Sequence, residues 1–84
     1  MNIYVVMYYM DWEGYTYGYY NSLELAKEKA LECLNFQITT NWFDCKDFNI
    51  SESHEPEFSI YGRHKKMEGR YFESFVKELK VETE

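Results

Sequence analysis

The sequence predicts a small α+β domain, an antiparallel sheet of four to five strands in the order β-β-α-β-β-β with one helix packed on a face. Three observations predict it. Residues 2–10 and 15–20 are dense in Val, Ile, Tyr and Met around a turn, residues 22–35 carry an apolar stripe at helical spacing, and the second half returns to period-two patterns interrupted by turn residues. At 84 residues the chain makes one domain, 1–84. A chain this short buries only about 60–65% of its unfolded surface, so its core is thin. A content of 45% hydrophobic and 20% aromatic residues still favours folding, because each aromatic ring buries a large area.

The elements follow in order. Residues 2–10 form a strand with Tyr4, Val6, Tyr8 and Met10 on one face and Ile3, Val5, Met7 and Tyr9 on the other. Both faces are apolar or aromatic, which predicts a central strand covered at least partly on both sides. Asp11-Trp12-Glu13-Gly14 supplies turn chemistry, with Gly14 free to take positive φ. Tyr15–Tyr20 then returns as the second strand of a hairpin. Asn21 and Ser22 both suit a helix N-cap, and Asn21 with Glu24 matches a capping box.

The helix runs to about Asn35, with Leu23, Ala26, Ala30, Cys33 and Leu34 on one stripe and Leu31 at its flank. Glu24, Glu28, Lys29 and Glu32 lie away from it. Residues 36–41 are polar and rich in Thr and Asn, which reads as a loop, and Trp42–Ile50 alternates as a strand. Ser51–Glu57 is an acidic exposed turn around Pro56, and Phe58–Arg63 is a short strand. Arg70–Val81 fits a helix stripe or one face of a strand. Gly69 and the short strand before it favour the strand, as a hairpin partner.

Met1–Gly14, Ser22–Lys27 and Phe75–Glu82, about a third of the chain, carry a pattern. It resembles a group of small phage and bacterial proteins. These open with a strand of the MxVYVVxYxYDxEG kind, enter a helix at Ser-Leu-Glu-x-Ala-Lys and close on a short acidic strand. The resemblance implies the fold above and a mobile-element origin, and it assigns no catalytic residue. The chain departs from the pattern in Tyr15–Tyr20 and in residues 36–70.

The formal net charge is −6, from 15 acidic and 9 basic residues. That balance argues against non-specific binding to nucleic acid or an anionic membrane and suits a partner protein with a basic surface. The N-terminus has no basic n-region, and no apolar run approaches the roughly 20 residues that span a bilayer. A cytoplasmic setting is expected, in the host cell if the chain is phage-encoded, with Cys33 and Cys45 as reduced thiols.

Seven of the nine tyrosines, with Trp12, fall in the first 20 residues. Tyr and Trp suit interfaces because they bury much area at low entropic cost and keep a polar handle. Alternation places Tyr15, Tyr17 and Tyr19 on one face, so with Trp12 they are the candidate partner-binding residues. Glu24, Glu28 and Glu32 join them as an i, i+4 ridge, since like charges at that spacing oppose helix stability rather than add to it. Arg63, Lys65, Lys66 and Arg70, beside Tyr61 and Tyr71, form the basis of an alternative reading, a small nucleic-acid-binding module.

Cys33, Cys45, His54 and His64 lack the tight ligand pairs of structural zinc sites, so no metal and no cofactor is expected. His54 beside Glu52 and Glu55 is the lone acid–base pattern, and no Gly-rich phosphate loop or nucleophile elbow is present. The expectation is therefore a non-enzymatic protein-binding protein, encoded by a phage or mobile element, acting as a stoichiometric inhibitor or modulator of a host protein such as a defence factor. A homodimer through the tyrosine hairpin is a separate expectation.

Overall fold

The computed structural model describes residues 2–80. Met1, Val81 and Glu82, which enter the expectations above, lie outside the described residues. The elements are β1 (Asn2–Met10), β2 (Glu13–Tyr20), α1 (Leu23–Thr40), a 3-10 turn at Cys45–Asp47, β3 (Phe48–Ser53), β4 (Ser59–His64) and β5 (Tyr71–Lys80). One antiparallel sheet runs in the order β2-β1-β5-β4-β3. The fold is α+β with one helix on a five-stranded sheet, and the tail is a strand.

This order places β2 and β3 at opposite edges, and α1 is the link between them. The helix must therefore cross the whole sheet. Five strands span about 19 Å, and the 18 residues of α1 reach about 27 Å. A helix ending at Asn35 would stop short, and the expected loop over 36–41 is corrected: α1 continues to Thr40. Gln37 and Ile38 lie one turn beyond Cys33 and Leu34 and extend the same buried stripe.

The capping residue is Ser22 rather than Asn21, its Oγ accepting from Leu25 N at 3.2 Å. At the other end Asn41 Nδ2 donates to Gln37 O at 2.7 Å, and Trp42 turns the chain at φ +69°. The expected strand over Trp42–Ile50 is corrected accordingly. Pairing starts only at Phe48, after the 3-10 turn that Asp44 caps through Lys46 N at 3.0 Å.

The core is the contact between the helix stripe and one face of the sheet. Ala26, Ala30, Cys33, Leu34 and Ile38 pack against Val6, Phe48, Ile60 and Val76, with Phe58 closing one end. Two buried polar residues sit inside it. Gln37 Nε2 donates to Ser74 Oγ at 2.8 Å and to Glu73 O at 3.1 Å, pinning the last turns of α1 to β5. β1 is an inner strand, but helical cover reaches only its Tyr4–Val6–Tyr8 face. The expectation of cover on both faces is corrected, since among the described residues no element packs over the Ile3–Val5–Met7–Tyr9 face. None of the helices among those residues is long and apolar enough to cross a membrane.

In the first hairpin, Asp11 (φ +53°) and Trp12 (φ +71°) form a two-residue turn, the arrangement that matches strand twist. The positive φ expected at Gly14 thus falls on these two residues instead.

Two predictions follow from the core. Gln37→Ala leaves Ser74 Oγ buried without its donor and lowers unfolding free energy in urea by about 1–3 kcal/mol. Replacing both partners, Gln37→Leu with Ser74→Ala, costs less than the single change. Burial pushes the Cys33 thiol pKa up and encloses it, whereas Cys45 is only half-buried. Iodoacetamide therefore labels Cys45 in the native protein and Cys33 only on unfolding, as read by mass spectrometry.

Candidate functional site

The two faces of the sheet place the candidate tyrosines differently from simple alternation. Val5 pairs with Tyr19 and Val6 with Gly18, but Met7 pairs with Thr16, so Tyr17 is an extra residue in a β-bulge. A bulge of one residue exchanges faces beyond it. Tyr15 and Tyr17 therefore lie on the helix side and Tyr19 on the opposite side, which corrects the expectation that the three share a face.

On the helix side the displaced rings meet α1. Tyr8 stacks on Tyr15 at 5.5 Å, and Phe36 reaches Tyr8 at 6.2 Å and Tyr17 at 6.1 Å. This cluster lies at the β2 edge, with Tyr15 and Phe36 exposed. Phe36 escaped the sequence reading because it fell in the expected loop. The signal for it was its position four residues beyond Glu32, on a helix that does not stop at Asn35.

Carboxylates flank these rings. Tyr15 Oη donates to Glu13 Oε2 at 3.0 Å, and this bond holds the Tyr15 pKa above the usual tyrosine value. Tyr17 is raised too, first by burial and then by the Glu32 charge. Both hydroxyls thus stay protonated near neutral pH. Glu24, Glu28 and Glu32 run along the solvent side of the helix, and Glu32 is paired with Lys29 at 3.1 Å. Tyr15, Tyr17 and the glutamate ridge therefore belong to one side of the molecule, and Tyr19 does not join them.

Trp12 is fully exposed at the hairpin tip, and Trp42 is nearly so at the turn after α1. These are the only tryptophans in the chain. Both hold a left-handed backbone that a glycine would adopt without strain. An indole gains nothing for folding in either place.

Arg63 and Arg70 line one cavity with His64, Met67 and Tyr71, although their guanidinium groups rest on different rings. Arg63 lies over the Tyr71 ring at 5.7 Å on the uncovered sheet face, whereas Arg70 lies over Phe43 at 5.3 Å on the helix side. Lys65 Nζ donates to Lys46 O at 2.7 Å, and Lys66 stays exposed.

Cys33 is in the core, His64 packs edge-on against Phe43 and Phe48, and His54 sits at Phe58, so the four potential metal ligands do not converge. His54 Nε2 is 3.5 Å from Glu52 Oε2 on an exposed turn. Among the described residues no group of three or more His, Cys, Asp or Glu is placed to hold a metal ion.

The uncovered sheet face carries a second aromatic set. Tyr9 stacks on Phe75 at 5.5 Å and Tyr61 meets Tyr71 at 5.9 Å. Partial burial, then the Glu73 charge, pushes the Tyr71 pKa up to about 12. Comparison with family models, curated proteins and solved structures finds no match to this chain.

Trp12→Gly relieves the left-handed strain and raises stability by about 0.5–1 kcal/mol, measured by urea titration. Tyr71 gives a pH signature. Its folded pKa exceeds the unfolded value of 10, so between pH 10 and about 12 the unfolded chain ionises first and stability falls as pH rises. Tyr71→Phe makes the unfolding midpoint flatter across that window.

Proposed function

We propose that this chain is a non-enzymatic protein-binding module whose docking surface is the junction of the β2 edge with the flank of α1. The observation that carries the reading is the exposed Tyr15–Phe36 cluster set between Glu13 on one side and Glu32 and Glu28 on the other. Rigid rings supply contact area at low entropic cost. The carboxylates raise the rate of encounter with a basic surface. The fully exposed Trp12, close by in sequence at the tip of the same hairpin, extends this surface. Tyr19 is left out because it lies on the other face.

The partner is accordingly a protein with a basic surface, bound stoichiometrically and modulated or inhibited by occupancy. The reading assigns no chemical step to the chain.

Immobilised protein should retain a basic partner from a cell extract at low salt and release it as salt rises. Tyr15→Ala with Phe36→Ala should weaken retention at least tenfold, through faster dissociation. Glu28→Lys should instead slow association. Retention unchanged by all three substitutions overturns the proposal.

A further inference from the structure

The opposite side of the sheet has a different character. Its strands carry Glu73, Lys77 and Arg63, two cations and one carboxylate, with Glu55 and Glu57 of the β3–β4 turn at its margin beside Phe75, in a chain of net charge −6. Among the described residues most of the acidic excess lies on the other surfaces. At the centre of this face is Phe75, on the middle strand β5, paired across to Met7 and stacked by Tyr9. Val5 on the same face is 4% exposed although no backbone element covers it. Its cross-strand neighbours on this face are Tyr19 and Lys77. The result is a packed apolar centre with its solvent side open.

Glu73 and Lys77 stand two residues to either side of Phe75, on the same strand and face, each about 7 Å away along the strand. Neither is in an ion pair among the described residues. A twofold axis in the plane of contact, crossing β5 at right angles at Phe75, reverses the strand direction. It sets Phe75 of one copy on Phe75 of the other and each Glu73 over the other copy's Lys77.

We infer that the uncovered sheet face is the interface of a symmetric dimer, its occupant a second copy of this chain. The strands offer a face of roughly 19 by 25 Å, on the order of 500 Å² before side-chain relief. Two such faces together bury on the order of 1,000 Å², the lower bound for a specific interface. Two sheets packing about 10 Å apart is a common solution for such faces. The contact buries near-neutral surface and leaves the acidic helices outward, so the proposed docking surface stays free in both copies.

Sedimentation equilibrium on the full chain tests this directly. The expected result is a concentration-dependent mass approaching twice 10.3 kDa. Glu73→Lys and Lys77→Glu each place like charges at both contacts and should raise the dimer Kd at least tenfold. The double exchange, E73K with K77E, should restore it. Lys77 is exposed and Glu73 half-buried, and unchanged circular dichroism confirms the fold of each variant. A mass that stays monomeric up to millimolar concentration overturns the inference. So does a dimer indifferent to the single reversals, or a weakening that the double exchange does not repair. Tyr15→Ala and Glu28→Lys should leave the dimer mass unchanged, so failure here is distinct from failure of the docking surface.

Discussion

One contact holds the molecule together: the apolar stripe of α1 against Val6, Val76, Ile60 and Phe48. Those four side chains come from β1, β5, β4 and β3, so the helix ties both hairpins to each other. Ala26 and Ala30 keep the helix close to the sheet, and the larger Leu34 and Ile38 fill the space further along. Among the described residues no second core exists to compensate if this contact is lost. The crossing from edge to edge sets the length of the helix, and the length of the helix sets where Trp42 and Phe43 emerge.

A single helix can cover one face only, and the distribution of side chains reflects this. Acidic residues gather along the solvent side of α1 and at Glu13, while the strands of the far face keep aromatic rings, two cations and the carboxylate of Glu73. Charge and apolar area are thus segregated. A partner recognised by its basic surface and a partner recognised by shape would meet different sides of the protein.

Much of the fold was legible in the sequence because its periodicities are strong. The β1–β2 hairpin and the stripe from Leu23 to Leu34 could be read from spacing alone, and the terminal strand from Gly69 and the short strand before it. What escaped was set by tertiary context. Gln37 is polar by type, and only its bonds to Ser74 and Glu73 show why a helix continues through it. Trp42–Asp47 alternates like a strand, but a left-handed residue and a capped 3-10 turn occupy that stretch. The grouping of Tyr15, Tyr17 and Tyr19 failed on one unpaired residue, because period-two reasoning has no means of registering a bulge. The same bulge is why the candidate site was half legible: it brought Tyr15 and Tyr17 to the glutamate ridge and sent Tyr19 away.

That extra residue also bears on how the chain behaves in a crowd. β2 is an edge strand made of little but tyrosine and glycine, and a regular edge of that composition would template fibril growth. At Tyr17 the repeat of backbone donors and acceptors is broken midway along the strand. An approaching strand would find its hydrogen-bonding partners in step for only a few residues before losing register. The edge is blunted here by a flaw in the ladder, and filling that gap would create an aggregation hazard without touching the core.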